Sequence, residues 1–576
     1  MEKLVRRRPA IAADDFPDSD IHPVLSRLYR ARGVAHADEL ALDLKHLVPP
    51  VRMLGCLPGA ELLADALAAD QRILIVGDFD ADGATSTALG ISTLRACGAR
   101  YVDYLVPNRF EYGYGLTPEI VELACRNRPD LLITVDNGIA SIEGVLAAKE
   151  QGITTLVTDH HLAGKELPEA DVIINPNQPG CDFPSKALAG VGVIFYLMLA
   201  LRGVLRERGW FANRPEPNLA QCLDLVALGT VADVVPLDRN NRILVDQGLR
   251  RIRAGQARPG IRALLDVAQR AEHSVVASDL GFAVGPRINA AGRLDDMSIG
   301  IECLLSETTL EAMAYANELH RLNKDRRAIE DGMQREALQI IAGMDFGDSI
   351  NAPAAMTLYQ ANWHQGVIGI LASRVKERLH RPTIAFADGD EGQVKGSARS
   401  IPGIHIRDIL DAVATRHPGL ITRFGGHAMA AGLTLARADY PAFADAFLAE
   451  VERHTEDVEL QAVIESDGEL APTDFDLDLA TTLRYAGPWG QHFPEPTFDG
   501  RFRLESQRLV GEKHLKMTLC PVDGERSIDA IAFNIDPARW PDEQVREVDI
   551  AYRLDVNEFR GRRTVQLVVE QIRAAT

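Results

Sequence analysis

The sequence has few cysteines and no paired arrangement of them. Its seven cysteines are scattered singly along 576 residues, and no two are spaced as Cys-x-x-Cys. An odd, unclustered set is not typical of a disulfide framework or a zinc ribbon. The cysteine pattern therefore predicts reduced thiols and a cytoplasmic protein.

Long hydrophobic runs are also missing. No window approaches the roughly 18 uninterrupted apolar residues of a membrane span. The start, Met-Glu-Lys-Leu-Val-Arg-Arg-Arg-Pro, is basic but lacks the apolar stretch of a secretory signal. We therefore expect no membrane association. The chain is too long for a single core, so two to four domains are expected.

Basic residues are in the minority. There are 62 Lys and Arg against 82 Asp and Glu, and the formal net charge is −20 at pH 7. Taken alone, this balance argues against a nucleic-acid partner. However, binding depends on the local potential, and a site built from carboxylates is acidic until its metals bind. A short basic groove can therefore coexist with an acidic exterior.

Strand-like and helix-like segments alternate from Arg72 onward. Strands are predicted at 73–76, 131–135, 154–157 and 172–174, and helices at 84–97, 142–150 and 191–205. This alternation predicts a parallel sheet with helical crossovers. Residues 1–50 are predicted to be a polar lead-in with little core.

The predicted secondary-structure pattern changes twice in the second half of the sequence. Residues 309–342 have few helix breakers and predict one long helix bridging two domains, although an ordinary surface helix fits the pattern equally well. A second α/β region follows over about 353–450. From about 460, short alternating runs predict a small β-barrel or sandwich. The predicted divisions are 1–50, 51–305, 306–345, 346–455 and 456–576.

Short motifs that end apolar runs supply carboxylates and imidazoles. They are Val-Gly-Asp-Phe-Asp-Ala-Asp-Gly at 76–83, Thr-Val-Asp-Asn-Gly at 134–138, Thr-Asp-His-His at 158–161 and Thr-Val-Ala-Asp at 230–233. The carboxyl ends of strands are where an open α/β sheet places its site. Oxygen ligands with imidazole suit Mn²⁺ or Mg²⁺ better than a metal that prefers thiolates.

Each motif alone has an ordinary alternative. The first could open a calcium loop, but that loop needs Glu where this chain has Leu89, and a strand precedes it instead of a helix. It could also be an acidic turn that caps the next helix. In an extended segment alternate residues share a side, so Asp78, Asp80 and Asp82 could project together. Asp136 could be a turn aspartate.

The adjacent imidazoles of His160 and His161 are harder to explain by packing. Neighbouring side chains diverge in an extended chain. We therefore infer that one histidine binds metal and the other faces the substrate. Asp233, which ends the last motif, is a weak signal alone.

In combination and in this order, the motifs resemble the catalytic motifs of the DHH phosphoesterase superfamily. The glycine-rich stretch at 425–432 resembles that of the companion DHHA1 domain. The stretches at 107–116, 285–294 and 396–400 narrow the resemblance to the RecJ single-strand exonucleases. Many DHH relatives have a histidine where this chain has Val76, and RecJ proteins also depart there. The β-rich tail resembles the OB-fold domain that RecJ proteins carry.

The resemblance implies an α/β fold. A parallel-sheet DHH domain is joined by a long helix to a second α/β DHHA1 domain, and a C-terminal OB-like β-barrel follows. It also implies two divalent ions, Mn²⁺ or Mg²⁺. Asp136 would bridge them, Asp80 with Asp78 would hold one, and the other ligands would be Asp82, His160 and Asp233. Asp159 would orient His160. His161 would contact the scissile phosphate or protonate the leaving oxygen.

The resemblance also suggests residues that hold DNA. Arginine forks suit a terminal phosphate, although ion pairing at a surface or domain interface explains each arginine equally well without the family. Base stacking is a possible role of Tyr112, Tyr114 and Trp363, yet aromatic residues more often lie in cores. The candidates for contact with DNA or phosphate are Arg109, Tyr114, Arg287, Arg293, Ser397, Arg399, Gly426 and His427.

The implied activity is hydrolysis of single-stranded DNA from the 5′ end to 5′-mononucleotides in recombination and repair. A DHH phosphodiesterase acting on oligoribonucleotides or cyclic dinucleotides is one alternative, but such enzymes generally lack the long β domain. A non-catalytic replication scaffold is another, but such proteins lose metal ligands. The protein is expected to be a monomer. Its expected partners are single-stranded DNA, a single-strand-binding protein and a recombination helicase.

Overall fold

The computed structural model describes residues 3–9, 16, 21–108, 112, 115–343, 353–389, 392–455, 460–511 and 513–575. The chain forms two compact units. The large unit comprises Arg8–Asn323, Asp467–Glu570 and Ala574–Thr576, and the small unit comprises Met1–Arg7, Lys324–Ser466 and Gln571–Arg573.

The first half of the chain contains the elements that carry the motifs. In chain order they are β1 (Leu4–Arg7), α1 (Pro23–Ala31), α2 (Cys56–Ala68), β2 (Ile73–Gly77), α3 (Ala81–Cys97), β3 (Val102–Leu105), α4 (Pro118–Cys125), β4 (Leu131–Val135), α5 (Ile142–Glu150), β5 (Thr154–Thr158), β6 (Val172–Ile174) and α6 (Gly190–Glu207). Helices then follow one another as α7 (Leu223–Ala232), α8 (Arg239–Arg253), α9 (Pro259–Val267), α10 (Ala277–Asp279), α11 (Gly285–Leu294), α12 (Ser298–Leu305) and α13 (Thr309–Gly343).

The second half alternates again and then becomes all-β. Its elements are β7 (Met356–Tyr359), α14 (Ile368–Leu379), β8 (Thr383–Asp388), β9 (Gln393–Arg399), α15 (Ile406–Arg416), β10 (Arg423–Gly426), β11 (Ala430–Ala436), α16 (Tyr440–Arg453), β12 (Val463–Ser466), α17 (Leu477–Tyr485), β13 (Phe498–Val510), β14 (His514–Pro521), β15 (Ile528–Ala532), β16 (Glu547–Phe559) and β17 (Arg562–Ala574).

The predicted parallel sheet is confirmed in the large unit. Its strand order is β3-β2-β4-β5-β6, and every neighbouring pair is parallel. All residues of β2 and β4 are buried, which explains why these strands are continuous apolar runs. Because the strands are parallel, the residues that follow β2, β4 and β5 meet at one edge of the sheet.

The fourth motif follows a helix instead of a strand. The apolar run before Asp233 forms α7, and eight of its residues are buried. An apolar run that is buried on all sides shows neither helical nor strand periodicity, so the sequence pattern could not decide between them. Asp233 therefore reaches the sheet edge from the end of a helix.

The lead-in has more core than expected. The side chains of Val24, Leu25, Leu28 and Tyr29 on α1 are buried. Since these apolar residues recur at helical spacing, α1 buries one face in the large unit. The prediction of little core in residues 1–50 is therefore wrong for this helix.

The small unit holds a second sheet in the order β10-β11-β9-β8-β7. The pair β7–β8 is parallel, and the other pairs are antiparallel. The long helix predicted over 309–342 is confirmed as α13, and the division between the two units falls between Asn323 and Lys324 within it.

The β-rich tail forms a closed barrel in the order β13-β14-β15-β17-β16, which decides between barrel and sandwich. Among the described residues, no single helix is long and apolar enough to cross a membrane. One bent pair, Leu44–Arg52 with Cys56–Ala68, meets that test of length and composition together.

Candidate metal centre

The first motif leaves β2 and turns into α3. Asp80 is the N-cap of α3, and its Oδ1 accepts hydrogen bonds from the backbone N–H groups of Asp82 (2.9 Å) and Gly83 (3.0 Å). Asp82 lies in the first helical turn and is 1% exposed. Its carboxylate accepts from the backbone N–H groups of Gly190 (2.7 Å) and Val191 (2.9 Å), which begin α6. The turn therefore directs these carboxylates in different directions.

The second motif follows β4. Asp136 is buried and has a φ of +62°, in the left-handed region that non-glycine residues seldom occupy. Its neighbour Asn137 donates from Nδ2 to the carbonyls of Val76 (3.2 Å) and Val135 (2.9 Å). Asn137 thus joins the ends of β2 and β4, the strands that lead to the first two motifs.

The third motif follows β5, and both oxygens of its carboxylate accept hydrogen bonds. Asp159 Oδ2 accepts from Ile139 N–H (2.8 Å), and Oδ1 accepts from the backbone N–H groups of His160 (2.7 Å) and His161 (3.1 Å). Asp159 Oδ1 also lies 2.8 Å from Nδ1 of His161. The expectation was that Asp159 orients the ring of His160, and these contacts correct it: the ring bonded to this carboxylate is that of His161.

His160 points into the carboxylates. Its Nε2 lies 3.1 Å from Asp136 Oδ1 and 3.5 Å from Asp233 Oδ2. The two imidazole rings have centroids 4.5 Å apart and are tilted by 59°. The adjacent histidines therefore have different surroundings, as the divergence of neighbouring side chains predicts.

Ligand atoms from the four motifs converge in overlapping groups. Each group has atoms that all lie within 4.8 Å of one another, and the groups are Asp78 with Asp80 and Asp136, Asp82 with His160 and Asp233, and Asp136 with His160 and His161. The first two groups are the two ligand sets that the family resemblance implies. Asp136 lies between them, because it belongs to the first group and contacts His160 of the second.

Burial and mutual repulsion raise the pKa values of these carboxyls. Burial, with the charge of Asp80 next, raises the pKa of Asp82 to about 7. Burial and the neighbouring carboxylates, Asp82 foremost, raise the pKa values of Asp136 and Asp233 well above the ordinary value. A cluster of buried acids that repel one another favours a cation or protons at its centre.

The Asp159–His161 pair behaves in the opposite way. Burial alone would raise the pKa of Asp159, but the bond and charge of His161 lower it below the ordinary value. Burial alone would lower the pKa of His161, but the bond and charge of Asp159 raise it. An ionised pair is therefore favoured here, with His161 as the cation.

Several residues of the site were not recognised in the sequence. Asn137 joins two strands, Asn289 of α11 accepts from Ala81 N–H (2.7 Å), and Gly190 supplies a backbone donor to Asp82. A Cβ on Gly190 would lie only 2.7 Å from the Cβ and Oδ1 of Asp136. A glycine and two amides carry no chemical signal of their own, so only the Asn-Gly after Asp136 and the 285–294 stretch pointed towards this region.

The predicted DNA-binding residues of the large unit have different placements. Arg109 and Tyr114 lie outside the described residues. Arg287 is 7% exposed and donates to His320 Nδ1 (3.2 Å) and to the carbonyls of Ala283 and Val267. These internal contacts indicate packing, and its role in DNA binding stays a prediction. Arg293 is half-buried on α11, the helix that contacts the first motif through Asn289.

The other candidates lie in the small unit. Arg399 donates to Ser397 Oγ (3.1 Å) on β9, and both side chains face the start of α14, where a Cβ on Gly369 would lie 2.8 Å from the guanidinium. Gly426 ends β10 and His427 begins the turn to β11, where the His427 N–H donates to the carbonyl of Ala430 (2.8 Å).

The described aromatic candidates, Trp363 and Tyr112, both pack against hydrophobic cores. Trp363 is 4% exposed in a hydrophobic core and donates to Glu336 (2.8 Å), so the idea that it stacks on bases is wrong. Tyr112 packs against the core that contains Leu74 and Leu132.

Comparison with known proteins identifies the domains of the chain. Residues 72–230 match the DHH family, N-terminal domain, residues 351–456 match the DHHA1 domain, and residues 466–571 match the RecJ OB domain. The chain is 57% identical over 570 residues to the single-stranded-DNA-specific exonuclease RecJ of Dickeya dadantii (strain 3937), a match that covers 99% of this chain and 98% of that protein.

Solved structures show the same architecture. The crystal structure of RecJ from Thermus thermophilus in complex with Mn²⁺ matches with a TM-score of 0.79 and 30% identity, covering 97% of this chain and 76% of that one. The Mg²⁺ complex from the same organism matches with a TM-score of 0.74 and 29% identity, over 97% and 75%. The predicted order of DHH, DHHA1 and OB-like domains is confirmed. The chain therefore belongs to the RecJ family of single-stranded-DNA-specific exonucleases.

Proposed function

We propose that the chain hydrolyses single-stranded DNA from its 5′ end, releasing 5′-mononucleotides in recombination and repair, with two ions of Mn²⁺ or Mg²⁺. The observation that carries this proposal is the convergence of five carboxylates and an imidazole in two adjoining ligand groups. The Mn²⁺ and Mg²⁺ complexes of the Thermus RecJ support the choice of metals.

The donor set fits divalent ions. Carboxylate oxygens and imidazole are ligands that Mn²⁺ accepts, and none of the ligand atoms is a thiolate. The raised pKa values of Asp82, Asp136 and Asp233 indicate that these acids repel one another, which bound cations would relieve. Asp78, Asp80 and Asp136 would hold one ion, and the remaining ligand set would hold the other. Asp136 would be the bridge because it also contacts His160.

Two bound ions would lower the pKa of a coordinated water and stabilise charge on the attacking and leaving oxygens of an in-line phosphoryl displacement. Beside them, Asp159 contacts Nδ1 of His161, so a contact of this ring with the substrate would be made through Nε2. The raised pKa of His161 favours the protonated ring. We therefore assign His161 the contact with the scissile phosphate or the protonation of the leaving oxygen.

Holding the DNA strand requires further contacts. Arg293 is on α11, the helix whose Asn289 bonds the first motif, and Arg399 with Ser397 forms a donor pair suited to a terminal phosphate. The OB-like barrel would add phosphate and stacking contacts along several nucleotides. A single-strand-binding protein and a recombination helicase as partners, a monomeric state and a cytoplasmic location remain predictions.

The experiment is nuclease digestion of matched single- and double-stranded DNA labelled at the 5′ end, with Mn²⁺ or Mg²⁺. We expect labelled mononucleotide from the single strand only, and no product with EDTA. Parallel incubations with oligoribonucleotides and cyclic dinucleotides test the phosphodiesterase alternative. Hydrolysis of those substrates without hydrolysis of single-stranded DNA would contradict the proposal, and no hydrolysis at all would favour a scaffold.

A further inference from the structure

A strained residue follows the metal-ligand candidate Asp233. Val234 has a φ of +60° although it is β-branched, and its side chain is 63% exposed. A β-branched residue in the left-handed region is a genuine outlier. Such a conformation persists only where the surroundings impose it. Because the Val234 side chain is mostly in solvent, its own packing cannot supply that restraint.

The restraint comes from both sides of the loop between α7 and α8. On one side, Asn241 donates from Nδ2 to the carbonyls of Pro236 (2.9 Å) and Ala187 (2.8 Å). On the other, the backbone N–H of Leu237 donates to the carbonyl of Gln491 (2.8 Å). Gly490 packs so closely that a Cβ there would lie 2.7 Å from Leu237 Cδ1. A distant part of the chain therefore holds the loop.

That part is the segment 486–494, which we call the strap, and it is itself firmly anchored. Tyr29 on α1 donates its hydroxyl to the carbonyl of Ala486 (2.8 Å). The rings of Trp489 and Phe493 stack with centroids 5.2 Å apart, and the guanidinium of Arg242 on α8 lies 4.3 Å from the Phe493 ring. The strap is therefore fixed to both α1 and α8, in the same compact unit as the metal centre.

A buried ion pair anchors the C-terminal end of the strap. Arg32, just after α1, binds both carboxylate oxygens of Asp467 (3.0 and 2.9 Å) and donates from Nε to the carbonyl of Pro494 (2.7 Å). Both side chains of the pair are almost fully buried. Asp467 also accepts from Arg8 (2.8 Å), and removing Asp467 would leave the buried Arg32 guanidinium without its counterion, so this anchor resists displacement. The strap is thus held at both its ends and its centre.

We propose that the strap is a positioning element of the metal centre. By bonding Leu237, it fixes the strained backbone at Val234 and thereby the direction of the Asp233 carboxylate, which lies 3.5 Å from His160. The strap also leads into the barrel, but its proposed role in positioning Asp233 does not involve DNA. The inference rests on the proposed metal centre, and it assigns the strap a function that a passive linker would not have.

The test is Gly490→Val in the full chain. The added Cβ would lie 2.7 Å from Leu237 Cδ1 and 3.2 Å from its Cγ, and we expect the strap to move away from Leu237. We expect the Mn²⁺ dissociation constant of the weaker ion, measured by calorimetry without DNA, to rise about 10- to 100-fold, as for other partners of metal ligands. The kcat on a short oligonucleotide should fall at limiting Mn²⁺ and recover at saturating Mn²⁺, which a general loss of structure would not do.

Two further variants make the outcome decisive. Gly500→Val puts the same side chain on β13, where a Cβ would lie 3.3 Å from Phe502 Cε2, and it should leave Mn²⁺ affinity unchanged. Adding Leu237→Ala to Gly490→Val removes the clashing atoms and should restore much of the affinity. Gly490→Ala should be intermediate, and it keeps the test open if the valine variant is unfolded by circular dichroism.

The inference and the proposed function can fail separately. If the unmodified chain binds no Mn²⁺, the proposed metal centre itself is wrong. If the unmodified chain binds two ions and the folded Gly490 variants bind them equally well, the metal centre stands and the role of the strap is refuted.

Discussion

Gly190→Ala is a one-carbon change that should displace Asp136, the carboxylate proposed to bridge the two ions. Gly190 begins α6, and its N–H donates to Asp82 Oδ2 (2.7 Å). A Cβ would lie 2.7 Å from the Cβ and Oδ1 of Asp136 and 2.8 Å from its Cγ. Carbon atoms in contact normally lie about 3.5–4.0 Å apart. Asp136 or α6 must therefore move by about 0.8 Å or more.

A displacement of about 1 Å at reacting groups can cost on the order of 100-fold in rate. We therefore expect kcat/KM for a 5′-labelled single strand to fall by about 30- to 100-fold, which is ~2–2.7 kcal/mol of transition-state stabilisation. The fold should survive, because alanine is compatible with a helix. The assay is initial-rate release of labelled mononucleotide at saturating Mn²⁺, with thermal unfolding measured on the same preparation.

Gly203→Ala is the matched control, since it makes the same change on the same helix. Nothing lies within 4 Å of its added Cβ. Activity should be unchanged, and helix propensity should add about 0.5–1 kcal/mol of stability. A folded Gly190→Ala variant as active as Gly203→Ala would refute the reasoning that this glycine makes room for Asp136.

Three further outcomes follow from the site. Asp136→Ala should reduce hydrolysis by far more than tenfold (~1.4 kcal/mol) with an unchanged circular dichroism spectrum, and a folded variant that keeps a tenth of the activity would remove Asp136 from the bridge. His160→Ala should shift the Mn²⁺ dependence of activity, whereas His161→Ala should lower kcat at nearly unchanged Mn²⁺ dependence; identical titrations would contradict their separate roles. The raised pKa of Asp82, about 7, means that its contribution to metal-free stability is present at low pH and lost as pH rises through 7, while Mn²⁺ competes with the proton. Thermal-shift assays should therefore show greater stabilisation by Mn²⁺ at pH 8 than at pH 6, and an equal shift at both would oppose this coupling.

Much of the metal centre was predictable because its ligands follow buried strands. The strands before Asp78, Asp136 and Asp159 are short apolar runs, and parallel strands bring their ends to one edge. The order of the motifs then supplied the family. Asp233 was identified from its motif, although it lies at the end of the helix α7. A metal ligand needs its carboxylate in the right place, and either a helix or a strand can place it there.

The contacts that were missed join residues distant in sequence or depend on side-chain rotation. Alternation along an extended chain separates His160 from His161, but it does not say which ring returns to Asp159. Trp363 lies in a connection before α14, and its partner Glu336 lies on α13. The residues Leu237 and Gln491 are separated in sequence by α8 to α13, the rest of the small unit and α17, and no local pattern marks the bond between them.

The most direct test of the central claim is anomalous diffraction from crystals of the full chain grown with Mn²⁺. The account predicts two manganese peaks, one bound by Asp78, Asp80 and Asp136 and the other by Asp82, His160 and Asp233, with Asp136 touching both. A single peak, or manganese bound away from these residues, would contradict the assignment of a two-ion centre to this sheet edge.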